Sequence, residues 1–378
     1  MAKILYFTDM DSSGSGYLRF SETICNGLVT NYGHDVKVLG LGYRGQQHKN
    51  SFSIIPTIDM MDAHAMIINM HRLWNFDILI VALDIPHHIF FIDKLKNEGI
   101  KYIAITPLEN PPLRMSWSAG LLPANAVFFI SEIASNSAKK AGLVNSDYLQ
   151  IGLDFTEWKF ASDKDKINLK SSLGFSDKFV VLSVSENQER KNPWALLDII
   201  AKAKEQIPNI QFVWVTTEYT QFGINVRDLT TELGINDNVL IIEKGISLKE
   251  LWSLYAAADV FLLASKAEGL GLPILESFSV GLPVVATNTG AITELLSDGR
   301  GFLVSPEYSI IDVWGNSKRD FINRQEAADI LGKINSGILD KDSAKKLAND
   351  FIMSRDIFYP SLQLDKKIKE ILNEKVIS

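Results

Sequence analysis

The chain is poor in cysteine: Cys25 is the only one among 378 residues. That excludes an internal disulfide and suits a reducing compartment, with Cys25 read as a small core residue on a helix. No apolar run reaches the ~18 residues a membrane-spanning helix needs. The N-terminus goes straight into a strand-like Lys3-Ile-Leu-Tyr-Phe7, so no leader is expected and the expected location is cytoplasmic. There is no surplus of basic charge. The net charge is −7, and acidic residues outnumber basic ones within residues 1–158. Nothing in that balance draws the chain to nucleic acid or to anionic lipid. The six histidines (34, 48, 64, 71, 87 and 88) have no tight metal-ligand spacing, so no metal site is expected. Short-period repeats and low-complexity tracts are also missing.

What is present is enough apolar material for two ordinary cores, 46% of the residues. Buried-strand patterns alternate with helical ones in both halves. In the first half, strands are expected at Lys3–Phe7, Val36–Leu39, Phe76–Leu83, Ile100–Ile105, Ala126–Ile130 and Tyr148–Ile151. Helices are expected at 17–32, 89–97 and 131–141. The Ser12–Gly16 turn after the first strand lacks the full G-x-G-x-x-G spacing, so a dinucleotide site is a weak reading of it. The charged stretch 161–170 looks like a linker. In the second half, strands are expected at Phe179–Val184, Gln211–Thr216, Val239–Glu243, Ala257–Ala264, Val284–Ala286 and Gly301–Val304, the last of the series. A helix broken at Tyr359-Pro360 is expected over 351–376.

The most informative stretch is Glu268-Gly-Leu-Gly-Leu-Pro-Ile-Leu-Glu276. An apolar strand leads into it. Gly269 and Gly271 permit positive φ and close approach to a ligand. Pro273 suits a helix start and Gly281 its end. Strand end, glycine turn and helix N-terminus therefore meet where free amides and a positive dipole favour an anion. Glu268 on the turn and Glu276, expected in the first helical turn, are good acceptors for sugar and ribose hydroxyls. A second loop, Ser185-Glu-Asn-Gln-Glu-Arg190-Lys191-Asn-Pro193, carries two adjacent cations after a strand. A solvated helix start is the plainer reading of both loops.

These motifs together, with Gly281-Leu-Pro-Val-Val-Ala286 and Glu294 through Gly301-Phe-Leu-Val304, resemble the retaining nucleotide-sugar glycosyltransferases of family 4, the glycosyl transferases group 1. The resemblance implies the GT-B fold: α/β, two Rossmann-like domains facing each other across a cleft, with a C-terminal helix crossing back to the first. The expected division is 1–158, plus the helix from about 355 to 378, for the acceptor side, and 159–354 for the donor side. The implied activity is transfer of a sugar, with retention and without metal, to an acceptor hydroxyl. The implied co-substrate is a nucleoside-diphosphate sugar, most simply a UDP- or GDP-sugar, with no resident cofactor. The acceptor is left open among glycans, lipids and small molecules, and peripheral membrane association stays compatible.

By the same resemblance, Glu268 faces the transferred sugar and Glu276 the ribose, while Arg190 and Lys191 neutralise the diphosphate. Gly269, Leu270, Gly271 and Leu272 line the donor. Gly245 and Ile246 meet the base through their backbone. Gly14, Ser15 and Gly16 close over the phosphates, the alternative being a plain strand-to-helix turn. Glu109, in the Pro-rich loop 106–113, is an acceptor-side candidate, as are His87 and His88 at a strand end; a solvated charge and packing residues are the alternatives. Two departures stand out. Glu186 holds a position where many members have an arginine, and Gly290-Ala291 replaces a glycine pair. They keep open a binding protein that has lost catalysis. A nucleotide-sugar epimerase of the same architecture is the other alternative.

Overall fold

The structure is a computed structural model, and it describes residues 1–11, 16–313 and 315–373. The chain divides into two compact units, residues 1–152 with 356–378, and residues 153–355.

The first unit is a seven-stranded parallel sheet. Its strands are β1 (Lys3–Asp9), β2 (Asp35–Leu41), β3 (Ser53–Thr57), β4 (Ile78–Ala82), β5 (Tyr102–Thr106), β6 (Ala126–Phe129) and β7 (Ser146–Tyr148), in spatial order β3-β2-β1-β4-β5-β6-β7. β4 and β5 are almost wholly apolar, as is the buried centre of β1, as expected of parallel strands covered on both faces. β3 and the helix Met60–Trp74 have no counterpart in the sequence reading. Their local signal is Asp59, whose carboxylate accepts the amides of Met61 and Asp62 and caps that helix. The helix Ile85–Leu95 starts four residues earlier than expected, with Pro86 in its first turn. The strand expected at Tyr148–Ile151 is displaced to Ser146–Tyr148, where it pairs with β6.

The second unit repeats the plan with β8 (Phe179–Val184), β9 (Ile210–Thr216), β10 (Val239–Glu243), β11 (Val260–Leu263), β12 (Val284–Thr287) and β13 (Phe302–Val304), in order β10-β9-β8-β11-β12-β13. Two corrections apply here. The stretch 161–170 is not a linker but most of a capped helix, Asp163–Ser172. Ser162 and Asp165 form a reciprocal capping box, and Lys166 and Lys170 pair with Asp259 at 2.8 and 2.6 Å. Nor is Gly301–Val304 the end of the strand series. An antiparallel hairpin follows, β14 (Pro306–Ile311) and β15 (Lys318–Ile322).

The C-terminal segment belongs to the first unit. Its helix Tyr359–Asn373 lies against the helix Gly16–Thr30, buries Leu364, Ile368 and Ile371, and is anchored by Asp365. His34 Nδ1 accepts the Ala2 amide at 3.1 Å, so its Nε2–H donates to Asp365 at 2.9 Å. Gly27 is glycine because a Cβ there would lie 2.2 Å from Ser361 Oγ. The break before this helix covers 354–358, ahead of Tyr359.

Candidate functional site

In both sheets the strand order reverses beside the first strand of the unit: between β1 and β4, and between β8 and β11. Open α/β sheets bind ligands at the carboxyl ends of the strands flanking such a reversal. In the second unit those two ends carry the loops singled out in the sequence, 185–192 after β8 and 264–271 after β11.

The two loops close on one carboxylate. Glu268, only 6% exposed, receives the Lys191 ammonium, Arg190 at 3.3 Å and the Ser265 hydroxyl at 2.8 Å. Burial alone would raise its pKa. The charges of Lys191 and then Arg190, with the hydrogen bonds from Lys191 and Ser265, outweigh it and hold the group at about 2. Glu268 is therefore an anion at any physiological pH. Arg190 also donates to the Ala267 carbonyl at 2.8 Å, and its own carbonyl accepts the Lys266 amide at 2.9 Å. The result is a rigid pair of cations set against a single buried anion.

Beyond Glu268 the chain turns into the helix Leu272–Val280 through Gly271, which has φ +85°. Of the two glycines expected to take positive φ, Gly271 does and Gly269 does not. Gly281, at φ +80°, closes the helix. Glu276 is the fifth helical residue rather than part of the first turn. It is 2% exposed, and its Oε2 accepts the Tyr255 hydroxyl at 2.7 Å. Tyr255 is itself held between Phe261, stacked at 5.8 Å, and Trp158, edge-on at 5.4 Å. Leu270 is buried and Leu272 half-buried.

The departures from the family pattern have local explanations. Glu186 pairs with Lys244 at 2.5 Å, so its charge is met by a cation from the loop after β10. Gly290 takes φ +48°, and the Ala291 amide donates to the Glu268 carbonyl at 3.0 Å. Gly245, after Lys244, is exposed with φ +94°, and Ile246 is half-buried beside it.

Among the first-unit candidates, Gly14 and Ser15 lie outside the described residues, while Gly16 begins the helix Gly16–Thr30. Asp84, at the end of the β4 strand, accepts the Tyr17 hydroxyl at 2.7 Å. Glu109 is half-buried in its loop, and His87 half-buried in the first turn of Ile85–Leu95. His88 is fully buried, which is the packing alternative for it. Its Nδ1 meets the Tyr102 hydroxyl at 2.9 Å, and its Nε2 lies 2.9 and 3.1 Å from the Leu83 and Ile105 carbonyls. Burial, only partly offset by those carbonyls, lowers its pKa to about 4 and keeps it neutral. The Asp9-Met-Asp11 stretch forms a local turn, with the Asp11 amide on Asp9 at 2.9 Å. Among the described residues, no three His, Cys, Asp or Glu are grouped to hold a metal ion, and no helix is long and apolar enough to cross a membrane.

Sequence reasoning missed several residues that shape the site. Asn187 is fully buried, donates to the Glu218 and Ile224 carbonyls at 2.8 and 2.9 Å, and accepts the Ile224 amide at 3.0 Å. It fastens the loop after β9 to the loop after β8. Its signal was an amide side chain three residues past a strand end. Tyr255 and Lys266 gave no local signal, because their partners are brought in by other elements.

Residues 165–335 match the model of the family "Glycosyl transferases group 1". Among curated proteins, the chain is 26% identical over 236 residues to N-acetyl-alpha-D-glucosaminyl L-malate synthase of Bacillus anthracis, covering 60% of each chain. It is 28% identical over 191 residues to GDP-mannose-dependent alpha-(1-6)-phosphatidylinositol monomannoside mannosyltransferase of Mycolicibacterium smegmatis, covering 47% of this chain and 48% of that one. The matches thus span about half to three-fifths of these relatives' length. Anabaena HepE, solved in complex with UDP, superposes with a TM-score of 0.73 at 18% identity, over 97% of this chain and 100% of that one. Sucrose-phosphate synthase of Thermosynechococcus elongatus gives 0.75 at 15% identity, over 99% and 100%. The matched model, these relatives and two parallel-sheet units together show the GT-B fold and a likeness to the group 1 glycosyltransferases over residues 165–335.

Proposed function

We propose that the protein transfers a sugar from a nucleoside-diphosphate sugar to an acceptor hydroxyl, with retention at the anomeric carbon and without a metal ion. The observation that carries this is the convergence of Arg190, Lys191 and Glu268 at the strand-order reversal between β8 and β11. Breaking the bond between the anomeric carbon and the diphosphate oxygen moves negative charge onto the leaving group. In this reading the two cations and the amides after Gly271 receive it, a kind of stabilisation worth several kcal/mol per interaction. Glu268, kept ionised, accepts hydroxyls of the transferred sugar, and Glu276 accepts those of the ribose. The acceptor oxygen bonds to the anomeric carbon on the face the diphosphate leaves, and its proton passes to a departing phosphate oxygen. No side chain of the site is required as a covalent nucleophile.

A UDP- or GDP-sugar is the donor class this reading favours, in line with the UDP bound by HepE and the GDP-mannose named for the mycobacterial relative. The acceptor belongs to the first unit's loops, where Glu109 and His87 are the candidate contacts. Incubation with a panel of UDP- and GDP-sugars, read as thermal stabilisation and then as transfer, tests the assignment. Glu268→Ala is expected to abolish transfer with the fold retained. Full activity in that variant would contradict the role given to Glu268. Product formed from donor alone would instead identify an epimerase.

A further inference from the structure

The hairpin β14–β15 follows the last sheet strand and belongs to neither parallel sheet, yet it is tied to the loop that carries Glu268. The Asp320 amide donates to the Lys266 carbonyl at 2.8 Å. The Thr289 hydroxyl lies 3.2 Å from that same carbonyl and 2.9 Å from Asp320 Oδ2. Asp320 Oδ1 accepts Ser309 at 2.5 Å and Lys318 at 2.8 Å, so the carboxylate, 1% exposed, also clamps the two hairpin strands together. Lys266 continues the chain of contacts. Its amide donates to the Arg190 carbonyl at 2.9 Å, its ammonium pairs with Glu189, and that ammonium stands 4.4 Å over the Phe321 ring. One residue, two positions before Glu268, is thus gripped on one side by the loop of the two cations and on the other by the hairpin.

We propose that the hairpin is part of the donor-binding machinery, and that Asp320 is a positioning residue for Arg190 and Glu268, acting through the backbone of Lys266. The inference rests on the donor-site reading above. The physical reason is that a buried carboxylate with several donors holds a narrow geometry, and the strength of a charge clamp depends on placement to within a fraction of an ångström. A loop fastened only at its β11 end would let Arg190 and Glu268 drift relative to each other. Fastened also to Asp320 and Thr289, it presents them in one arrangement.

The test compares full-length wild type, Asp320→Ala and Asp320→Asn by amide hydrogen exchange, and by titration with UDP and GDP. In Asp320→Ala, exchange in peptides covering 189–192 and 264–272 is expected to accelerate about tenfold, and the nucleotide that binds wild type to bind about tenfold more weakly. Asparagine keeps an acceptor for Thr289 and a donor for Ser309, so Asp320→Asn is expected to restore most of both. A merely structural carboxylate would not show that rescue together with loosening confined to these loops. Acceleration limited to 306–322, with 264–272 unchanged, overturns the proposal. If Asp320→Ala unfolds, Thr289→Val removes the hydroxyl shared by the two segments while leaving the Ser309 and Lys318 contacts of Asp320 in place. Tight 264–272 exchange in that variant overturns the proposal equally. A wild type that binds neither UDP nor GDP would sink the donor-site reading, while the exchange comparison would still decide the coupling.

Discussion

At the scale of single residues, the site is governed by the charge balance around Glu268. Its folded pKa is near 2, below the usual value of 4.5. A depressed carboxylate contributes stability that is fully present above its unfolded pKa and is lost as pH falls through the folded one. The window here runs from about pH 4.5 down to about pH 2, and the linkage is on the order of 3 kcal/mol. Urea unfolding of wild type and Glu268→Gln across this range is the check. The stability gap between them should be largest above pH 5 and shrink steadily on acidification; a pH-independent gap would contradict the ion clasp. His88 works in the same direction over a different range. Its lowered pKa makes the neutral ring part of the fold, and that stability is lost as pH falls from about 6.5 through about 4.

At the scale of elements, the strand-turn-helix around 264–281 depends on two glycines, one at each end of its helix. Gly271 takes φ +85°, and a Cβ there would meet Ile274 and Leu295 only at 3.3 and 3.4 Å. Gly271→Ala is therefore expected to lose about 1–2 kcal/mol, chiefly from the left-handed backbone. Nucleotide affinity should fall with it, since the helix amides follow directly. At Gly281 a Cβ would stand 2.4 Å from Phe160 Cε2 in addition to φ +80°. Because the exposed Phe160 ring can swing aside, Gly281→Ala should cost about the same 1–2 kcal/mol, again chiefly from the left-handed backbone, while leaving the nucleotide constant of the folded fraction unchanged. Chemical denaturation paired with nucleotide titration separates the two cases. The hairpin β14–β15 adds a non-local fastening to the same element, which the local glycine signals do not announce.

At the scale of the whole molecule, the two units differ in how their chain is supplied. Residues 153–355 are continuous, with their own sheet and core, whereas the first unit is completed by 356–378. Residues 153–355 expressed alone are expected to fold cooperatively and to bind the nucleotide that wild type binds. Residues 1–152 alone should be poorly folded, because removing 356–378 uncovers the helix Gly16–Thr30 and strips His34 of Asp365. Thermal unfolding of the two fragments, and of 1–152 mixed with a peptide spanning 356–378, decides this. A well-folded 1–152 fragment would show that the C-terminal helix is dispensable for that core.

Taken alone, the amino-acid sequence was enough for most of the strand and helix alternation, though not for β3, the helix Met60–Trp74 or the hairpin β14–β15, for the bounds of Phe179–Val184 and Val239–Glu243, and for singling out the two loops that bring Glu268, Arg190 and Lys191 together. Those features are written in short-range terms: continuous apolar runs for strands covered on both faces, glycine where φ is positive, and paired cations after a strand end. It misread 161–170 because a polar capped helix with no buried residue has the composition of a linker, and only Asp259, far along the chain, reveals what holds it. It left His88 open between an acceptor contact and packing, because burial is a property of the packed sheet and not of a His-His pair. Tertiary structure alone decided that Lys266 joins three segments, that Tyr255 reaches Glu276, and that Asp320 stands behind the glutamate loop. The physical reason is common to all of these. Each is a contact between residues distant in the chain, which no local pattern encodes and which strand order brings into being.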